Sequence, residues 1–436
     1  MVYFIVVFFA IVSGLFSLRF WLLYRHRASH AISDALENAE RLVALRDWDA
    51  ADAVLSPLVA VEKGGFKTSL FYSQVLRGTK QWEKALSFLD KALINHPSHP
   101  SLLQERARVL MESGNYDEAL KALNSRAPLL RNEDDFFDLA SALFHNDKPF
   151  EAWDVLKNIT ETSRNGRLLA LAGDCHFSWR GYDKALVLYL RSQECGWSNH
   201  HVLYRIGFCH KSLRHWDDAE RCFSEIVRLD DSATDAVLGL GECFEAKGFF
   251  NKALILYRSV EAWNLGDANI LHQAGICSVM TQQYDHGRLY LQAALKKGVR
   301  SPQLLAFLGY CLEQHRLWED AEGVYLKLAD AFPRHVSGYL SLAWLYGVGL
   351  SSSLSDDDGL AMAHQAVMLN SSPLSWEILS ACEARAGNFT KAHHIQECLS
   401  SYAQDKDTRR RRQQAMRILR KKLPLTEDHI SKVLVA

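Results

Sequence analysis

A chain of 436 residues would ordinarily divide into roughly two or three globular domains, a limit that lapses only where each segment touches its neighbours alone. Its 50 Lys and Arg against 51 Asp and Glu leave a net charge of -1, which excludes a polyanion as partner for the chain as a whole. No nucleotide-binding loop, metal-ligand spacing or nucleophile motif occurs, so neither an enzyme nor a cofactor or metal site is expected.

The first element is apolar. Val2 to Leu18 is an unbroken uncharged run; after Arg19 the character resumes in Phe20-Trp21-Leu22-Leu23-Tyr24 and stops at Arg25-His26-Arg27. Residues 2–24 are about as long as a bilayer crossing requires, with Arg19 near enough to one end to snorkel and Trp21 and Tyr24 placed for the interface. No positive side chain precedes the run and no small-x-small cleavage site follows it, which favours an uncleaved transmembrane anchor over residues 1–27 against a signal peptide. Arg19, Arg25 and Arg27 all follow the span. The positive-inside rule then expects a single-pass protein of the inner (cytoplasmic) membrane with its body in the cytoplasm.

Residues 32–45 read as a helix, and Trp48-Asp49-Ala50-Ala51 sets an alanine three residues after an aromatic. The same signature returns as Trp82 and Ala85, followed by Ala92 and Pro97, and again in Gly114-Asn115-Tyr116-Asp117-Glu118-Ala119. A fourth copy is degenerate: Pro149 replaces the aromatic while Ala152 is kept, and proline is tolerated at a helix start.

From residue 173 the pattern becomes regular, with a period of 34 residues. Glycine stands at Gly173, Gly207, Gly241, Gly275 and Gly309, followed two residues on by Cys175, Cys209, Cys243, Cys277 and Cys311. An aromatic follows (Tyr182, Trp216, Phe250, Tyr284, Trp318), then a small residue (Ala185, Ala219, Ala253, Gly287, Ala321) and a large closing one (Tyr189, Phe223, Tyr257, Leu291, Tyr325). A fixed period of this length signals a stacked array. Dipeptides such as Arg180-Gly181 and Lys247-Gly248 separate paired segments of helical period, which makes each unit a helical hairpin. Small positions let the helices approach, and the large ones fill the gaps around them.

This pattern resembles the tetratricopeptide repeat (TPR), and the resemblance covers most of the chain. It implies an all-α, TPR-type α-solenoid, a right-handed superhelix of about eleven hairpins behind an N-terminal transmembrane helix. The chain then divides into the anchor (1–27), N-terminal TPR units (28–165), a regular block (166–335), C-terminal units with a polar insertion (336–404) and a basic capping helix or tail (405–436). The resemblance further implies a concave groove lined by first helices that binds a protein or peptide. Its expected contacts are Phe177, Tyr204, Phe208, Lys211, Glu242, His272 and Tyr310, with aromatic anchors and charges that fix register. The Lys/Asn/Arg set by which chaperone-binding members hold a C-terminal carboxylate is not present in these units.

Five of the nine cysteines share one repeat position, and Cys382 occupies it in the last unit. Neighbouring units stack roughly 10 Å apart, too far for a disulfide between equivalent positions, so buried filler and a reducing compartment are expected. By the same spacing His176 and His210 read as partly buried helix residues, not a metal pair.

After Pro333, residues 339–346 resemble a first helix, LSSSLSDDDG (350–359) reads as a polar, acidic loop, and a helix resumes at Leu360. The last unit carries Trp376, Cys382, Phe389 and Ala392. Residues 405–422 form a basic helix in which Arg409, Arg410, Arg411, Arg412, Arg417 and Arg420 serve either as a solenoid cap or as a contact for anionic lipid. Nucleic acid ranks below both, because no aromatics interleave the basic run. The layout resembles membrane-anchored TPR proteins of bacterial envelope assembly. That implies a scaffold or adaptor in the assembly, secretion or regulation of an envelope-associated complex. A periplasmic or surface-exposed export component, and a nucleic-acid-associated regulatory subunit using the basic tail, stay open as alternatives.

Overall fold

A computed structural model describes residues 30–60, 65–124, 132–230, 233–261, 267–402 and 405–430. All regular structure among them is helical. The expected anchor lies outside the described residues; among those described, no helix is long and apolar enough to cross a membrane. The described residues fall into two compact units, one up to residue 209 and one from residue 210. The first holds α1 (30–44), α2 (Trp48–Ala60), α3 (Gly65–Gly78), α4 (Trp82–Asn95), α5 (Pro100–Glu112), α6 (Tyr116–Asn124), α7 (Glu133–His145), α8 (Pro149–Thr160), α9 (Gly166–Ser178), α10 (Tyr182–Glu194) and most of α11 (His200–Ser212). The second holds α12 (Trp216–Leu229), α13 (Thr234–Ala246), α14 (Phe250–Glu261), α15 (Ala268–Met280), α16 (Tyr284–Lys296), α17 (Pro302–Gln314), α18 (Trp318–Ala331), α19 (Val336–Val348), α20 (Asp356–Leu369), α21 (Pro373–Arg385), α22 (Phe389–Ser401) and α23 (Lys406–Arg420).

One turn geometry joins the helices of successive pairs. The N–H of Gly181 donates to the carbonyl of His176 (2.9 Å), Phe249 to Phe244 (2.8 Å), Gln283 to Ser278 (2.8 Å) and Leu317 to Leu312 (3.0 Å). This is a Schellman closure, and it needs a left-handed residue just before the donor. That residue is Arg46, Lys80, Gly114, Asp147, Arg180, Arg214, Gly248, Gln282, Arg316, Gly349 or Gly387 in the eleven pairs among the described residues. The dipeptide Arg180-Gly181 thus marks its turn by Arg180 (φ 60), while Gly181 has an ordinary φ of -79.

The repeated glycine is explained by the closing residue of its own unit. A Cβ added at Gly173, Gly241, Gly275 or Gly309 would lie 2.7, 2.1, 2.7 or 2.4 Å from Tyr189, Tyr257, Leu291 or Tyr325. Real side-chain atoms do not approach that closely, so only glycine lets the large residue lie flat on the first helix. Around these contacts run the cores. Leu123, Leu139, Leu156, Leu168 and Cys175 anchor one in the first unit; Leu291, Leu304, Tyr325, Leu342 and Cys382 anchor another in the second.

All six repeat cysteines are buried free thiols. Burial pushes Cys243 up to about 11 and Cys175, Cys209 and Cys311 up to about 12. The thiolate is the reactive form. Brief iodoacetamide treatment of the native chain should therefore label the exposed Cys195 and Cys398 and spare these six until urea is added; equal labelling read by mass spectrometry would contradict the packing.

The acidic insertion departs from expectation. Helix α20 begins at Asp356, four residues before Leu360, because Ser355 and Asp358 form a capping box and three aspartates suit the positive end of the helix dipole. The serines before it are fixed to the preceding hairpin. Glu322 on α18 accepts from the hydroxyls of Ser351 (2.8 Å) and Ser353 (2.6 Å) and from the N–H of Ser352 (3.1 Å). Burial would raise this carboxyl, but those bonds outweigh it and hold it below its ordinary 4.5. A carboxyl depressed on folding stabilises above its unfolded value, and that contribution is lost as pH falls through the folded one. Hydrogen-exchange protection of residues 350–359 is expected to fall as the pH drops below 4.5, and Glu322→Gln should abolish that step.

Candidate partner-binding surfaces

Successive first helices touch directly: α3, α5, α7 and α9 in the first unit, α13, α15, α17 and α19 in the second. In the first unit, acids buried between them are matched by arginines. Arg77 on α3 donates to Glu105 on α5 (2.7 Å), and Arg108 on α5 to Asp138 on α7 (2.8 Å), which also accepts from Gln104 (2.9 Å). Burial pushes both carboxyls up, opposed by their arginines. Loss of either arginine would leave a buried acid unmatched.

Three of the expected groove residues do meet in the first unit. Phe177, Tyr204 and Phe208 are half-buried. Phe177 and Phe208 have ring centroids 5.1 Å apart, and Tyr204 lies 6.3 Å from Phe208. Two partners were not anticipated. Tyr182 completes the patch at 5.5 Å from Phe177 and 6.0 Å from Phe208. Arg205 sets its guanidinium 4.2 Å above the Phe177 ring, a cation–π contact, with Asp174 3.5 Å away. Arg205 stands four residues after His201, whose ring nitrogen it meets at 3.2 Å. That helical spacing was the available signal.

The four expected residues of the second unit form no such patch. Lys211 and Glu242 pair with one another. His272 is half-buried against the Ser301 hydroxyl (3.2 Å), and burial holds its pKa down. Tyr310 packs edge-on to Tyr284 at 5.9 Å.

Carboxylates on first helices of both units serve the closing tyrosines. Tyr189 donates to Asp174 and Tyr257 to Glu245, each at 2.7 Å. Burial pushes both carboxyls up, and the tyrosine bonds act against it. His176 lies 4.4 Å from Trp153 and 5.3 Å from Trp179, where it fills an aromatic pocket.

The basic helix is partly a cap. Asp405 caps α23 by accepting from the Thr408 N–H (2.7 Å). Arg412 is buried, donates to the Leu399 carbonyl and lies 3.7 Å from Glu377, a residue only 1% exposed; Arg411 approaches the same carboxylate at 3.6 Å. Arg412 therefore does not face solvent. Arg409, Arg410, Arg417 and Arg420 do, with Arg420 bonded to His393 at 3.2 Å.

Family models agree with this repeat pattern. Tetratricopeptide-repeat family models match residues 76–143, and 210–266 with 281–336. Over 241 residues the chain is 20% identical to the BBSome complex member BBS4 of Bos taurus, covering 55% of this chain and 46% of that one. Over 98 residues it is 34% identical to the heat shock protein STI1 of Saccharomyces cerevisiae, covering 21% and 17%. The chain thus spans less than half the length of these relatives. Among solved structures, the C-terminal part of a TPR repeat-containing protein of Cytophaga hutchinsonii aligns with a TM-score of 0.45 at 14% identity over 54% of this chain and 96% of that one. Yeast Tom70 aligns with a TM-score of 0.36 at 10% identity over 90% and 96%. With hairpins of one turn geometry throughout the described residues and family matches in both units, the chain carries tetratricopeptide repeats in each unit, and its described regular structure is all helical.

Proposed function

We propose that the chain is a membrane-tethered scaffold that holds a segment of a partner protein on the exposed faces of its first helices. In this reading residues 2–24 are the tether, the body is cytoplasmic, and the partner belongs to an envelope-associated complex. The observation that carries it is the patch of Phe177, Tyr182, Tyr204 and Phe208 under the Arg205 guanidinium. Half-buried rings in fixed positions offer apolar area at little entropic cost, and aromatics and arginine dominate the binding energy of protein interfaces.

A photo-crosslinking residue placed at Tyr204 of the full chain in native membranes tests the surface, with the exposed Val187 on α10 as control. The reading expects an adduct at position 204 that disappears with Phe177→Ala and Phe208→Ala. Equal adducts at both positions, or one indifferent to those changes, reject it. For the tether, the full chain should resist alkaline extraction from membranes while a chain starting at residue 28 should not; identical behaviour would refute the membrane assignment.

A further inference from the structure

The turn between α11 and α12 gathers three side chains that contribute nothing visible to the core. His210 stands near the end of α11, His215 occupies the position just before α12 without a side-chain bond to its backbone, and Asp218 lies in its first turn. One donor atom from each falls within 4.8 Å of the other two, and the imidazole rings are 5.8 Å apart. The backbone explains the meeting. The N–H of His215 donates to the carbonyl of His210 (2.8 Å) across the left-handed Arg214, which folds the two histidines together. Asp218 follows three residues later, the spacing that returns to the same helix face.

A second observation concerns His210 alone. Its Nδ1 is closed off from solvent and has no hydrogen-bond partner, so a lone pair or a proton is withheld from water without compensation. The charges facing the cluster are those of Arg221, which pairs with Asp218, and of Asp217, which turns to Lys247.

We propose that this turn binds a divalent transition ion, with the imidazoles of His210 and His215 and the carboxylate of Asp218 as its three protein donors. Two nitrogens and one oxygen suit Zn2+ or Ni2+, whereas Mg2+ and Ca2+ take shells of oxygen. Zinc bonds of about 2.0–2.1 Å bring tetrahedral donors to roughly 3.4 Å of one another. Closing that gap requires rotation of the exposed His215 and of Asp218, and release of Arg221, whose side chain is already 79% exposed, into water. The ion takes the place of the guanidinium and fastens the end of one helix to the start of the next. This site is independent of the scaffold reading.

The test uses the full chain, stripped of metal and titrated with ZnCl2 by calorimetry, with thermal melting alongside. One Zn2+ per chain is expected, with a rise in melting temperature. His215→Ala and Asp218→Asn, both surface changes, should each weaken Zn2+ roughly ten-fold or more and remove that rise. Replacing the exposed His364 and His394 by alanine should leave both intact. Arg221→Ala should tighten binding, since it removes the competitor; a fortuitous surface histidine would not respond. Undiminished Zn2+ affinity in His215→Ala or Asp218→Asn, an equal melting shift from MgCl2, or no binding by the wild type would overturn the proposal.

Discussion

Tyr257→Ala is expected to destabilise the second unit by roughly 3–5 kcal/mol. The ring is fully buried and fills the space that Gly241 leaves open, and its hydroxyl donates to Glu245. Truncation creates a cavity and also removes a donor from a carboxylate that burial already pushes up. The two contributions separate in Tyr257→Phe, which keeps the ring and should cost only about 1–3 kcal/mol. A leucine at the same place should be intermediate, since Leu291 already closes over Gly275 in the following unit. Repeat arrays need not unfold in one step, so urea titration should be paired with hydrogen exchange localised to α13, α14 and α15. A loss below about 1 kcal/mol in the alanine variant would refute the packing account.

The second large effect belongs to the C-terminal cap. Glu377→Ala removes the carboxylate that Arg411 and Arg412 share and leaves Arg412 charged in a buried position. Breaking a buried pair from one side costs about 3–5 kcal/mol, most of it the stranded charge. Helix α23 is expected to undock, so amides of residues 406–420 should exchange freely while those of α17 and α18 remain protected. Adding Arg412→Met should restore much of the docking, because the methionine needs no counter-charge. Arg410→Gln and Arg417→Gln, on the exposed side, should alter stability by less than about 0.5 kcal/mol. Undiminished protection of residues 406–420 in Glu377→Ala would show that the ion pair does not hold the cap.

Sequence alone revealed the hairpins because the 34-residue period forces each unit to solve one packing problem in one way. Gly173 and Tyr189, or Gly309 and Tyr325, are matched sixteen residues apart within a unit, so their contact is written in the spacing. The charges were harder. Lys211 and Glu242 read as groove contacts for a partner, yet they are 31 positions apart and paired; Arg108 and Asp138 pair at a separation of 30. These separations equal one period less about one helical turn, which is how neighbouring first helices meet. Testing opposite charges at that offset would have found them. The aspartates of 356–358 were missed for another reason: acidic clusters suggest a loop, although the dipole favours them in a first helical turn. Arg205 escaped because it lies beside the groove rows and enters the patch by reaching across Phe177.

The hairpin turns have a consequence for how firmly the array is set. Seven of the eleven place Arg, Lys, Asp or Gln where the backbone is left-handed, each against a steric preference of about 1–2 kcal/mol that glycine would escape. Four turns already use glycine (Gly114, Gly248, Gly349 and Gly387), so the geometry itself accepts it. Glycine at any of the seven would relieve that strain but add freedom to the unfolded chain, so each turn sets local strain against backbone entropy.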